Sequence, residues 1–252
     1  STPCGTLFPY TTLFRSAGAP LTVALVAAGA GLDGFLVDHA VLAAGSAPVI
    51  SAVAYAVLLG LDAGFALAVG VASTALMPLT LPLVAGLLLG VELPLAPAAL
   101  LARLALLIAG ATLVAVALRR HWGGAVLARR GALIDGVVVL AMLSFGLAVM
   151  DGVATTALDR PRFTTAAVAT VFVLALGLNL AGTLVFAPFG RRLALTVGLM
   201  SGFKNFGLVV AALGAEAGAL TVVFLGLLQL PIFVLPVVLR RWACRRLAGE
   251  GQ

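Results

Sequence analysis

The chain has 252 residues, of which 63 % are hydrophobic and 10 % are charged, and its formal net charge is +6. Soluble domains average about 45–50 % apolar and about 25 % charged residues. This composition therefore excludes a soluble globular protein and predicts an integral protein of a lipid bilayer. The basic residues are grouped in a few short loops, which indicates a topology signal and argues against a nucleic-acid partner.

The first sixteen residues differ from the rest of the chain. Residues 1–16 (STPCGTLFPYTTLFRS) are rich in Thr and contain no Ala. They also lack the basic start and the continuous apolar stretch of a signal peptide. The stretch PYTTLFRS resembles a translated sequencing adaptor. We therefore expect residues 1–16 to be an artefact outside the fold, and the natural chain to begin further upstream.

Eight apolar spans follow in chain order, each bounded by charges, Gly or Pro. Most contain the roughly 20 residues that a membrane-crossing helix needs, and the second and seventh are interrupted. Long charge-poor runs favour helices over a membrane barrel, so the predicted fold is an all-α polytopic membrane protein. The spans are residues 18–32, 35–60, 63–90, 95–118, 132–150, 163–188, 192–214 and 217–239.

Charge in the loops predicts the orientation. Basic residues occur on every second connection and at the C-terminus, whereas the alternate connections are acidic or balanced. By the positive-inside rule the C-terminus is cytoplasmic, and the protein crosses the cell (inner) membrane several times. The basic residues are Arg119, Arg120, Arg129, Arg130, Arg191, Arg192, Arg240, Arg241, Arg245 and Arg246.

The interrupted seventh span contains Lys204 and Asn205, with Gly198, Gly202 and Gly207 around them. A lysine at that depth costs several kcal/mol unless it is paired or hydrated. Glycines at this spacing favour a helix break, and a broken helix frees backbone groups to bind ions or substrate. This pattern is typical of a transporter site.

An internal repeat connects the two interrupted spans. The segment at 60–64 (GLDAG) matches 214–218 (GAEAG) at an offset that places Pro48 on Gly202 and Ser51 on Asn205. The loop charges put the two copies on opposite sides of the membrane. Inverted repeats with interrupted helices at equivalent positions indicate a secondary-transporter site. The spans at 95–118 and 132–150 have no mates in the first copy, so we expect two further helices upstream and five plus five in all.

Three stretches resemble the bile acid:sodium symporter superfamily. They are residues 45–60, residues 71–82 (VASTALMPLTLP) and residues 202–208 (GFKNFGL), which resemble the family's fourth, fifth and ninth helices. The resemblance implies two inverted five-helix repeats with two discontinuous helices that cross near the midplane, and a carrier that works by alternating access. It also places Ser73 and Thr74 opposite the first break.

The chain departs from the family at the ion site. Met200 stands at the position of the sodium-binding glutamate and Lys204 at that of a glutamine, while Asn205 and Gly202 match and only Ser51 remains of a polar pair. A sodium site needs several oxygens and no adjacent ammonium. Sodium coupling is therefore doubtful, and Lys204 could neutralise an anionic substrate or carry a proton. The alternative is a lysine that snorkels or caps half-helix carbonyls without taking part in transport.

The predicted domains are residues 17–94 (an incomplete first repeat), 95–242 (a second repeat) and 243–252 (a cytoplasmic tail). The predicted function is secondary transport of a small organic anion, not catalysis, with no cofactor and no metal site. The alternatives are an auxin-efflux-like carrier and a non-transporting sensor or scaffold, and the oligomeric state is left open. We expect this chain, without its upstream helices, to be inactive. The candidate binding residues are Lys204, Asn205, Ser51, Ser73, Thr74, Gly202 and Pro48.

Overall fold

The computed structural model describes residues 4–32, 34–89, 96–214 and 217–236, and throughout these ranges the chain is helical, with a single isolated β-bridge and no strand. The predicted all-α class is therefore confirmed. The helices are α1 (Cys4–Leu13), α2 (Ala19–Gly29), α3 (Phe35–Gly45), α4 (Ser51–Leu58), α5 (Ala63–Val84), α6 (Pro97–Arg129), α7 (Gly131–Asp159), α8 (Pro161–Val185), α9 (Arg191–Gly202), α10 (Phe206–Leu213) and α11 (Ala219–Leu227).

Five helices of the described part are long and apolar enough to cross a membrane. Each has the length that a bilayer core of about 30 Å requires. The count of eight crossings stays a prediction, because it also needs α7 and the two interrupted spans. The five helices are Pro9–Gly29, Ala63–Leu88, Ala98–Leu127, Pro161–Val185 and Ala219–Pro236.

Both interrupted spans are broken helices, as the sequence predicts. The first consists of α3 and α4 with a break at residues 46–50, and the second of α9 and α10 with a break at 203–205. Each begins after a glycine of positive φ and ends at another. Gly34 (φ 91°) and Gly190 (φ 103°) precede the first halves, and Gly60 (φ 69°) and Gly214 (φ 58°) follow the second halves. The two broken helices therefore have the same order of elements: a glycine of positive φ, a half-helix, a break, a second half-helix and another glycine of positive φ.

The two broken helices run in opposite directions through the bundle. The first half of one, α3, contacts α11 through His39 and Thr221, and α10 ends beside the same part of the bundle. At the other end, Arg192 near the start of α9 donates to the carbonyl of Leu61, just after α4. The start of α3 and the end of α10 thus lie at one end of the described bundle, and the end of α4 and the start of α9 lie at the other. Which end faces the cytoplasm stays a prediction.

Two regions differ from the sequence prediction. Residues 1–16 were expected to lie outside the fold. The described part of this stretch, from Cys4 on, nevertheless forms α1 and the start of a π-helical turn (Phe14–Gly18) that continues into α2. The stretch is apolar enough to extend the first span, and Leu7 is buried with Phe65 and Phe186. The loop expected between 118 and 132 is helical apart from a kink at Gly123 (φ 73°), since its Leu, Ala and Arg residues are good helix formers. The predicted tail at 243–252 lies outside the described residues.

Candidate functional site

The two helix breaks meet and pair through their backbones. Pro48 and Lys204 form an antiparallel bridge. The Val49 amide donates to the carbonyl of Phe203 at 3.2 Å, and the Asn205 amide donates to the carbonyl of Ala47 at 2.8 Å. Backbone groups released by a break need partners in a membrane. Here each break satisfies groups of the other, although 156 residues separate Pro48 from Lys204 in the chain.

Lys204 is buried at this crossing, with 1 % of its surface exposed. Its Nζ donates a hydrogen bond of 2.6 Å to the carbonyl oxygen of Ala44, the last but one residue of α3. The final carbonyls of a helix have no partner within the helix and carry its partial negative charge. The ammonium therefore caps α3. The sequence left two roles open for Lys204, a transport role and a capping or snorkelling role. The contact formed in this conformation is the cap.

Asn205 acts as the N-cap of α10. Its side-chain oxygen accepts from the Leu208 amide at 3.3 Å, which satisfies one of the unpaired donors at a helix start. Ser51, half-buried, is the first residue of α4, and α4 has no side-chain cap of this kind. Pro48, Ser51, Lys204 and Asn205 thus all lie within or beside the two breaks.

Gly202 has a packing role that the sequence reading did not assign to it. A Cβ built on Gly202 would lie 2.6 Å from the carbonyl oxygen of Ala175, and one on Gly198 would lie 2.6 Å from that of Asn179. The two glycines are four residues apart on α9 and allow α8 to approach closely, as small residues do in membrane helix pairs. The predicted break is present, and the two hydrogen bonds between the breaks form there. The role of Gly202 is a different one, because its lack of a side chain allows α9 to pack closely on α8.

Ser73 and Thr74 lie on α5, and their hydroxyl groups differ in surroundings. Ser73 is buried and accepts from Nη1 of Arg15 at 3.4 Å. The hydroxyl of Thr74 donates to the carbonyl of Gly70 on its own helix at 2.8 Å, a common arrangement for Thr in membrane helices. Ser73 therefore belongs to the buried polar surroundings of the crossing. Thr74 uses its proton within α5.

Arg15 was missed because residues 1–16 were set aside. Its guanidinium is 1 % exposed, and its positive charge acts on Lys204. Among the described residues, neither its Nε nor its Nη2 has a hydrogen-bond partner. Burying unpaired donors of a cation is costly. We assign Arg15 no functional role, and the origin of residues 1–16 stays a prediction.

Two further cations donate to carbonyls at or beyond the ends of half-helices. Nη1 of Arg103 donates to the carbonyl of Leu213 at 3.1 Å, at the end of α10. Arg192 donates to the carbonyl of Leu61, three residues beyond the end of α4, at 3.2 Å. The sequence does not predict these contacts, because apolar sequence contains no marker for a carbonyl without a partner.

The crossing is distinct from the apolar cleft of about 500 Å³ between α2, α3 and α8. Apolar side chains make up most of the cleft wall, and its Thr22 and Thr170 hydroxyls donate to carbonyls of their own helices. No residue of either break lines it. Because the hydroxyl groups of Thr22 and Thr170 already donate within their own helices, the cleft is suited to bind hydrocarbon and not an anion.

The site combines the buried ammonium of Lys204, the two broken helices and the start of α4, which has no side-chain cap. Over the described ranges, no group of three or more His, Cys, Asp and Glu side chains is placed to hold a metal ion. The available chemistry is binding of charge by Lys204 and by helix ends. No protein-family model matches the sequence, and no curated protein matches it either, so a function has to be argued from this geometry.

Proposed function

We propose that the chain belongs to a secondary active transporter that moves a small organic anion across the cell membrane by alternating access, in the manner of the bile acid:sodium symporters. The observation that supports this proposal is the antiparallel crossing of two broken helices around buried Lys204. Irregular backbone within a membrane is tolerated where it is buried in protein or lines a cavity, and in secondary transporters it forms the binding site.

Lys204 is the proposed contact for the anion. In the present conformation its ammonium is bound to the carbonyl of Ala44. A hydrogen bond to a charged group contributes about 1.5–3 kcal/mol, and an ion pair at about 4 Å contributes about 4 kcal/mol in a medium of effective dielectric constant 20. Exchange of the Ala44 carbonyl for a carboxylate of the anion is therefore favourable. The net free energy of this exchange is also small enough for the anion to be released again. The start of α4 at Ser51 adds the positive end of a helix dipole, although the amides of Ala52 and Val53 already donate to the carbonyls of Val49 and Ile50.

Coupling to a proton, or no coupling ion, fits this site better than coupling to sodium. The ammonium of Lys204 occupies the end of α3, where a bound cation would also be stabilised by the terminal carbonyls. Met200 is apolar at the position of the family's sodium-binding glutamate, and its methyl group packs next to Gly70 of α5. A cation that entered here would meet a thioether and an ammonium, not carboxylate oxygens.

Uptake into proteoliposomes tests the proposal. The full-length gene product should be reconstituted and offered labelled mono- and dicarboxylates and a bile acid, with a sodium gradient, a pH gradient or neither. We expect uptake of at least one anion without sodium, and its loss in Lys204→Met. Absence of uptake for every anion under every gradient would overturn the transporter proposal.

The second candidate is a non-transporting membrane scaffold or sensor on the same fold. The specific observation that favours it is the capping contact, since Lys204 already has a partner that fully explains its position in structural terms. The two candidates differ in what Lys204→Met does. A scaffold takes up no anion with either side chain, whereas a carrier takes up the anion as the wild type and loses uptake in Lys204→Met. An auxin-efflux-like carrier remains a variant of the first candidate, separated from it by the anions taken up.

A further inference from the structure

His39 is half-buried, and both of its ring nitrogens have partners. Its Nδ1 lies 2.7 Å from the carbonyl oxygen of Phe35, one turn earlier on α3, and its Nε2 lies 2.9 Å from the hydroxyl of Thr221 on α11. A carbonyl can only accept, so Nδ1 carries the proton. In the neutral ring, Nε2 then accepts from the Thr221 hydroxyl. The contacts therefore specify one tautomer.

The same surroundings also accept the protonated ring. Once Nε2 carries a proton, it donates to the Thr221 oxygen after the hydroxyl rotates, and the contact between α3 and α11 is kept. The ring stacks on Phe35 with 3.8 Å between centroids and meets the edge of Phe224 at 5.8 Å. An aromatic face stabilises a cation above it. Both protonation states thus fit without movement of the helices.

Few other charges lie near His39. Asp38, its neighbour on α3, acts on the ring electrostatically. Of the elements packed against α3, namely α2, α5, α8, α11 and the two π-helical turns, only α8 and the first turn carry ionisable side chains within their bounds. On α8 this is Arg162, next to its N-cap Arg160, and on the turn it is Arg15. An imidazole in so sparse a setting is by default a functional candidate.

His39 is linked to the crossing through α3. It lies five residues before Ala44, the residue whose carbonyl holds Lys204, and five residues correspond to about 7.5 Å along a helix. A proton on His39 adds positive charge to α3, the helix that Lys204 caps, and His39 is near the end of α3 that the charge pattern places outside the cell. We propose that His39 is the site of the coupling proton of the carrier. This inference rests on the proposed function.

On this mechanism one proton from the external solution binds to the Nε2 lone pair of His39 while one monoanion binds at Lys204. Both are released inside, so that no net charge is moved. The proton leaves to internal water, and the ring returns to its Nδ1–H form. A proton gradient that is acidic outside then drives accumulation of the anion. His39 contacts the coupling ion and not the anion, so its loss should leave exchange of anions intact.

Proton binding can be measured without transport. The sequence contains two histidines, His39 and His121, so ¹⁵N-histidine labelling gives two ring systems, and His39→Gln assigns them. Exposed His121 serves as the internal reference. We expect His39 to show the Nδ1–H tautomer at high pH and to gain a proton at Nε2 as the pH is lowered. An Nε2–H tautomer, or a ring that stays neutral down to the pH at which the protein unfolds, overturns the inference.

Coupling is tested by uptake into proteoliposomes of the full-length gene product, with the anion that the wild type transports best. We expect external acid to raise uptake several-fold in the wild type, not at all in His39→Gln, and less in Thr221→Val, which keeps the imidazole but removes the Nε2 partner. Anion exchange at equal pH should persist in His39→Gln and vanish in Lys204→Met. If His39→Gln keeps the acid stimulation, the proton-site inference fails while the transporter proposal stands. If the wild type moves no anion, both fail.

Discussion

Replacing Lys204 by Met separates a binding role from a structural one. The substitution keeps a side chain of similar length and removes the ammonium that donates to Ala44. Folding loses a charge-assisted hydrogen bond, about 1.5–3 kcal/mol, but no longer buries a charge, which costs several kcal/mol. The two effects nearly cancel, and we expect the free energy of unfolding to change by no more than about 2 kcal/mol in either direction.

Transport should respond to the same change through the affinity for the anion. If the ammonium exchanges the Ala44 carbonyl, worth about 1.5–3 kcal/mol, for an anion at about 4 Å, worth about 4 kcal/mol at an effective dielectric constant of 20, the net gain is about 1–2.5 kcal/mol. Loss of that gain lowers the affinity about 5- to 70-fold. The assay is concentration-dependent anion uptake by proteoliposomes of the full-length gene product, together with thermal unfolding of the same variant in detergent.

Arg103→Met is the matched control, because Arg103 also donates to carbonyls at the end of a half-helix. It should lower stability and leave the affinity for the anion unchanged, whereas Lys204→Arg should retain part of the uptake. Wild-type uptake in Lys204→Met would refute an anion contact. Equal loss of uptake in the Arg103 and Lys204 variants would assign both residues to capping alone.

Two further outcomes are expected. Gly198→Ala should destabilise the protein by about 1–3 kcal/mol because its methyl group meets the carbonyl of Asn179. Gly177→Ala on α8, with open space around it, should not. Equal midpoints of thermal unfolding for the two variants would contradict the close packing of α8 and α9. Asn205→Ala should cost about 0.5–2 kcal/mol through loss of the α10 cap, and Asn205→Asp should restore most of it. The same unfolding assay decides, and an unchanged midpoint in Asn205→Ala would count against the cap.

The positions of the two breaks could be predicted from the sequence. Pro48 cannot continue a helix hydrogen-bond ladder, and a polar pair at 204–205 within an apolar run is unfavourable in an unbroken membrane helix. The observed breaks at 46–50 and 203–205 lie where these residues indicate. Local chemistry was sufficient here, because a helix break is decided by the residues at the break.

The partners of the charged groups could not be predicted. Lys204 binds a backbone carbonyl 160 positions away, and His39 meets Thr221 at a separation of 182. Backbone carbonyls are the same at every residue, so no sequence pattern distinguishes the one that accepts. The sequence likewise gives no sign that the Thr221 hydroxyl is the partner of His39. The clue was present only as a histidine in an apolar span, where a partner is expected but not named.

The pairing of the two breaks also has a consequence for synthesis of the protein. At about 5–20 residues per second, the ribosome needs roughly 8–30 s to proceed from Pro48 to Lys204, the two bridged residues. Throughout that interval the amide of Val49 and the carbonyls of Ala44 and Ala47 lack the partners they have in the finished protein. The first broken helix must therefore stay at the membrane surface or beside the insertion machinery until the second is made. Insertion of the second broken helix then supplies the missing hydrogen-bond partners of the first.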